Sequence, residues 1–117
     1  MRAELRSLGS LYVEDLSSWI PDADEWAVGI QIVAGPVDGP GEETFNLTVC
    51  SVAWVALRVA QDGIFDGRHH LVLAGFRWDL VRSYIERRVK LCEGHSWKEV
   101  ANCLGRLGYW EFEDYSG

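Results

Sequence analysis

Lysine and arginine are absent from residues 7–57, a long stretch of this 117-residue chain. The same stretch holds eight acidic residues, namely Glu14, Asp15, Asp22, Asp24, Glu25, Asp38, Glu42 and Glu43. The net charge is −7, so this stretch contributes −8 and the rest of the chain +1. A region of one sign attracts a basic partner and repels nucleic acid and anionic lipid. We therefore expect a basic protein partner, and neither nucleic acid nor a membrane, although acidic loops also serve solubility alone.

Long apolar runs and a cysteine framework are also missing. The longest uninterrupted apolar run covers residues 52–57, which is far too short to cross a bilayer. The N-terminus opens no apolar run, so we expect no signal peptide. Cys50, Cys92 and Cys103 are an odd number without framework spacing, which predicts reduced thiols and a cytoplasmic protein.

The chain has no nucleophile elbow, no glycine-rich phosphate loop and no zinc-protease motif. Cys92 and His95 have the spacing of metal ligands, but a structural zinc site usually needs two such pairs. His69 and His70 are adjacent, and neighbouring residues on a strand point to opposite faces. We therefore predict no catalytic residues, no metal and no cofactor.

Strands are predicted wherever apolar residues alternate with polar ones. Residues 26–34 place Val28, Ile30 and Ile32 on one face, and residues 44–50 alternate in the same way. The intervening residues 35–41 are rich in glycine and proline, which predicts an antiparallel hairpin. Residues 2–8 alternate weakly and predict a short first strand, whereas 9–25 predict a long connector with one helical turn around 13–19.

Three helices follow from apolar stripes and end signals. Ser51 caps a helix to Asp62 that is apolar nearly all round and is therefore expected to be well buried. After a short strand at 70–74, residues 78–92 form an amphipathic helix, and a capping box at Ser96 starts the last one, which Gly108 stops. On these stripes four residues are predicted to be buried: Trp54, Ile85, Leu104 and Leu107.

These elements predict one α+β domain spanning residues 1–117. Its small, mainly antiparallel sheet has about four strands, in the sequence order β-β-β-α-β-α-α, and helices cover one side.

The C-terminus combines aromatic and acidic residues. In an extended chain Trp110 and Phe112 share one face, and Glu111 and Glu113 share the other. Such a segment either packs its aromatic side chains on the core or binds a basic surface of another protein. The predicted partner-binding residues are therefore Asp22, Asp24, Glu25, Asp38, Glu42, Glu43, Trp110, Glu111, Glu113 and Asp114.

Several stretches resemble the immunity protein 8 family of bacterial polymorphic toxin systems. The C-terminal part carries the most specific resemblance, with residues 92–101 (CEGHSWKEVA) and 107–115 (LGYWEFEDY). Similar stretches are 1–8, 41–45 before Cys50, and 67–72, whereas the connector 9–25 adds little.

The resemblance implies a small cytoplasmic protein that binds a cognate toxin domain and blocks it inside the producing bacterium, without enzyme activity or a cofactor. It does not identify the toxin. Two alternatives remain open: a small acidic enzyme that uses His69 or His70, and an accessory subunit of another complex.

Overall fold

The computed structural model describes residues 1–111. It contains five strands and three helices in one α+β arrangement, and the predicted element order is confirmed. The strands are β1 (Ala3–Gly9), β2 (Ala27–Pro36), β3 (Glu43–Ser51), β4 (His70–Leu73) and β5 (Tyr109–Trp110). The helices are α1 (Val52–Asp62), α2 (Trp78–Leu91) and α3 (Trp97–Leu104).

The sheet is mostly antiparallel, in the order β1-β2-β3-β4. The predicted hairpin is confirmed, since β2 and β3 pair from Ala27↔Cys50 to Ala34↔Glu43. Two strands pair with the edge of β3 that faces away from β2. β4 pairs in parallel with residues 48–51, and β5 pairs antiparallel with Phe45 and Asn46. The short β5 was not predicted as a strand, and it brings the C-terminal segment onto the start of β3.

The core lies between one face of this sheet and the helices α2 and α3. Alternate residues of β2 and β3 supply one side, and Ile30, Ile32, Phe45 and Val49 are at most 1 % exposed. Val81, Ile85 and Val89 of α2 and Val100 and Leu104 of α3 supply the other side. This is the packing that strand and helix periodicities predict.

Two expectations about the helices are wrong. Although α1 is capped by Ser51 and Gly63 as predicted, none of its residues is buried, and Trp54 is only half-buried. No residue of α1 belongs to the core cluster, and Trp54 packs instead on Phe65 and on His70 of β4. The second error concerns α3, which stops at Leu104 with Gly105 as its cap, not at Gly108. Leu107 lies in the turn that follows, yet it is buried as predicted.

The long connector before β2 is held by aromatic side chains. Trp19 packs edge to face on Trp26 and on Phe76, with ring centroids 5.8 and 4.7 Å apart. The predicted helical turn at 13–19 is not formed, and residues 16–18 make a simple turn instead. None of the helices in residues 1–111 is long and apolar enough to cross a membrane.

The prediction of three reduced thiols is also wrong. Cys92 at the end of α2 and Cys103 in α3 form a disulfide, with Cα atoms 5.6 Å apart. Both residues lie on the apolar sides of their helices, and the packing of α3 beside the end of α2 brings them together. Only Cys50 is a free, buried thiol, and its burial raises the pKa of that thiol.

Candidate protein-binding site

An open groove of about 470 Å³ lies beside the start of β3. Its lining combines acidic, polar and aromatic side chains from β2, β3, β5 and the residues next to β3 and β5: Gln31, Glu42, Glu43, Thr44, Asn46, Trp110 and Glu111. We call it the acidic groove. It brings together four of the predicted partner-binding residues, although two of them are separated from the others by more than 60 positions in the chain.

The turn between β2 and β3 positions the acidic side of this groove. Gly41 has a φ of +99°, a left-handed conformation that favours glycine. A side-chain carbon on Gly35 would lie 2.3 Å from the carbonyl oxygen of Gly41, so the two backbone segments approach as closely as only glycine permits. The close contact between Gly35 and Gly41 positions Glu42 and Glu43 at the beginning of β3.

Arg6 ties the same turn to β1. Its guanidinium donates hydrogen bonds to the carbonyl oxygens of Pro36 and Gly39, at 2.7 and 3.0 Å. The Arg6 side chain also pairs with Glu4 at 3.0 Å. Asp38 lies on this turn and is exposed, but it does not line the groove. Arg6 therefore supports the turn from the side opposite to the acidic groove.

Trp110 forms the floor of the groove. Its side chain is 8 % exposed, and its ring lies 6.1 Å from that of Phe45 in the core. The indole nitrogen donates a hydrogen bond to Oε2 of Glu43. Trp110 thus belongs to the core and also offers one edge to the groove, whereas Glu42 and Glu111 are exposed at the rim.

The remaining predicted residues do not join this groove. Asp22, Asp24 and Glu25 are exposed and precede the opposite end of β2. The two ends of the pairing of β2 with β3, Ala27 and Ala34, are seven positions apart, which is about 24 Å of extended chain. The acids of the first half therefore form two separate surfaces. Glu113 and Asp114 lie outside the described residues.

A comparison with protein-family models decides the family. The model described as immunity protein 8 matches residues 3–115. The chain belongs to the immunity protein 8 family. None of the curated proteins and none of the solved structures compared with it matches. The match covers nearly the whole chain, so the resemblance of the separate stretches extends over all elements of the fold.

Immunity proteins are generally not enzymes, and the two histidines of this family member do not form a joint site. Nε2 of His69 lies 2.6 Å from the carbonyl oxygen of Gly105, and Nδ1 of His70 lies 2.7 Å from that of Arg68. The His69 ring packs against Tyr109, whereas the His70 ring packs between Trp54 and Phe65. The two rings therefore contact different parts of the chain. Alternation along a strand, the predicted reason, does not cause this separation, because His69 precedes β4 and has a left-handed φ of +59°.

The disulfide also occupies the sulfur of the suggested Cys92–His95 metal pair. The backbone N–H of His95 donates to Oε2 of Glu99 at 2.7 Å, while Ser96 caps α3 by accepting from the N–H of Glu99. This segment is thus a helix start, and its polar groups serve α3. Within residues 1–111, no group of three or more possible ligands is placed to hold a metal ion.

Sequence reasoning did not include Gln31, Thr44 and Asn46 in the site. They lie on the face of the sheet opposite to the core, where period-two alternation puts polar residues. The alternation of residues 44–50 was the available signal, since it predicted that Thr44 and Asn46 point away from the core. What it could not show was that β5 would border the same patch.

Proposed function

We propose that this protein is an immunity protein that binds and neutralises a cognate polymorphic toxin domain in the cytoplasm of the producing bacterium. The membership in the immunity protein 8 family supports this role, and a protein partner follows from the family. We further propose that the toxin domain is basic and that the acidic groove is its binding site.

The single observation that carries the site is the convergence of Glu42, Glu43, Trp110 and Glu111 in one groove. Interfaces between proteins combine a buried aromatic centre with a polar rim. Trp110 provides the rigid centre, and the exposed Glu42 and Glu111 provide charges that need little desolvation before they attract a basic surface. Such charges accelerate association more than they raise affinity.

The acids of the connector have a different role in this proposal. Asp22, Asp24 and Glu25 are exposed about one strand length away from the groove, so they extend the negative field without contacting the same partner residues. Asp15 belongs to the same connector and adds its negative charge. Hydrogen bonds from Ser17 and Ser18 lower the pKa of its carboxyl group. This carboxylate therefore remains ionised at lower pH than an ordinary aspartate.

Co-expression with the cognate toxin domain tests the function. The groove variant combines Glu42→Lys, Glu43→Gln and Glu111→Lys. Glutamine at position 43 keeps an oxygen that can accept the hydrogen bond from Trp110, so the floor of the groove is retained. The matched control combines Asp22→Lys, Asp24→Lys and Glu25→Gln, which changes the total charge by the same amount.

The wild type should protect the cells and bind the toxin domain, and the groove variant should lose most of both. The control should protect and bind more tightly than the groove variant. Failure of the wild type to bind or protect would overturn the immunity function. Loss of protection in the control alone would move the binding site to the connector. If both variants protect and associate as the wild type does, the acids serve only solubility.

A further inference from the structure

A second open groove, about 630 Å³ in volume, lies on the other edge of the sheet, between β1 and α2. β1 is the outermost strand on this side, and β2 pairs with only one of its edges. A bridge between Arg2 and Glu93 closes the very start of the other edge. From Ala3 to Gly9, no strand in residues 1–111 pairs with that outer edge.

An unpaired strand edge beside a helix is a geometry that receives extended peptides. The backbone of the edge strand offers hydrogen bonds to the added strand, and side-chain pockets provide selectivity. The walls here suit such a peptide, because Leu5 and Leu8 of β1 and Trp78 of α2 are only partly buried. The exposed parts of these three side chains give the groove an apolar lining.

The charge of this groove is opposite to that of the chain as a whole. Its lining has four basic and two acidic side chains, namely Arg2, Arg6, Arg82 and Lys90 against Glu4 and Glu86. The protein carries −7 in total, so a local excess of positive charge stands out against the general field. It favours an anionic ligand over a second copy of this acidic chain.

The basic side chains are available to a ligand to different degrees. Arg6 already donates a hydrogen bond to the hairpin turn. Arg82 pairs with Glu86 at 2.9 Å, but its side chain remains 60 % exposed. Arg2 lies 3.9 Å from Glu93, and both side chains are at least 70 % exposed. Exposed pairs of this kind contribute little stability and rearrange readily. Lys90 is exposed at the rim of the groove.

We propose that the groove between β1 and α2 binds an extended acidic peptide segment of a partner protein, which adds as a strand to the free edge of β1. This site is independent of the proposed toxin-binding site. The two grooves share no lining residue, so the proposal does not depend on toxin binding at the acidic groove.

A capped synthetic peptide of alternating glutamate and valine is the probe, and titration calorimetry measures its binding to the whole protein. A peptide of alternating lysine and valine tests the charge. A third peptide, N-methylated at every residue of the glutamate–valine sequence, cannot donate the backbone hydrogen bonds of a strand from either of its edges. Hydrogen exchange of the backbone amides locates the binding.

The glutamate–valine peptide should bind and slow exchange in β1 but not in β5. The lysine–valine peptide should not slow exchange in β1, although the acidic groove can attract it. N-methylation should weaken binding by more than about tenfold, since several hydrogen bonds are lost. Lys90→Glu should weaken binding by roughly three- to tenfold. Lys98→Glu is the matched control, because Lys98 is exposed on α3 and does not line the groove; it should bind like the wild type.

Several results would overturn the site. Absence of binding would do so, as would equal protection of β1 from exchange by the lysine peptide. Equal binding of the N-methylated peptide would exclude strand addition. An equal loss in Lys98→Glu would show that only overall charge matters, and a dimer that the peptide does not dissociate would show that a second copy covers β1.

Discussion

Trp110 donates the hydrogen of its indole nitrogen to a carboxylate oxygen of Glu43, which lies 67 positions earlier in the chain. This contact joins the last described strand to the first residue of β3. It gives Glu43 two roles, since the same carboxylate lines the acidic groove and holds its floor in place. Charge variants of Glu43 must therefore preserve a hydrogen-bond acceptor.

Glu43→Ala should lower the free energy of unfolding by about 1–3 kcal/mol, because the indole N–H loses a charged partner. Glu42→Ala removes a fully exposed neighbour and should change stability by less than about 0.5 kcal/mol. Urea unfolding followed by tryptophan fluorescence compares the two. Equal stabilities would show that the contact does not anchor β5.

Leu107→Ala should cost about 2–5 kcal/mol, the usual cost of removing a buried leucine side chain. Leu107 is 5 % exposed although it lies in a turn after α3. Leu80→Ala is the control, since Leu80 is 50 % exposed on α2 and should cost much less. A loss below about 0.5 kcal/mol for Leu107→Ala, the range of surface changes, would mean that this turn does not pack on the core.

Ser51→Ala should be more destabilising than an ordinary cap mutation. The Oγ of Ser51 accepts hydrogen bonds from the N–H groups of Trp54 and Trp26, at 3.0 and 3.2 Å, and the residue is 1 % exposed. Losing one cap costs about 1 kcal/mol, and leaving a second buried N–H unpaired adds about 1–3 kcal/mol. Ser96→Ala removes the exposed cap of α3 and should therefore lower the free energy of unfolding only by the loss of one cap, about 1 kcal/mol. Denaturant midpoints measure both, and a smaller loss for Ser51→Ala would contradict the double role.

Reduction of the disulfide should destabilise the protein by about 3 kcal/mol, the loop-closure entropy expected for a crosslink of this span. The bond joins residues 11 positions apart. Unfolding with and without a reductant measures the difference, and thiol labelling in denaturant should count three cysteines only after reduction. The double variant Cys92→Ala and Cys103→Ala should be insensitive to the reductant. Three reactive thiols without reduction would restore the sequence-based prediction.

The groove variant described above should associate with the toxin domain about tenfold more slowly than wild type at low ionic strength, because steering by opposite charge is lost. Its association rate should also depend less on salt than that of the wild type. Stopped-flow mixing over a range of salt concentrations measures both. A groove variant with the wild-type rate and salt dependence would mean that the groove does not steer the encounter.

The sequence determined four of the five described strands, the three helices and the division into faces. Alternation in residues 26–34 and 44–50 predicted the β2–β3 hairpin, and the apolar stripe of α2 predicted that Ile85 would be buried. Such patterns are legible because strand and helix geometry repeats every 2 or 3.6 residues, so that near neighbours carry the signal. The eight acids of residues 7–57 are likewise visible in the sequence.

Only the tertiary structure decided which of these residues meet. Trp54 has the same apolar context as Ile85, but α1 lies outside the core and leaves Trp54 half-buried beside His70 and Phe65. Glu43 and Trp110 converge, whereas Asp24 stays a strand length away, because strand order sets distances between residues that are remote in the chain. Tertiary packing likewise decided that Cys92 pairs with Cys103 and that one edge of β1 stays open. Periodicity shows which face of an element a residue occupies, but it does not show which other element that face will contact.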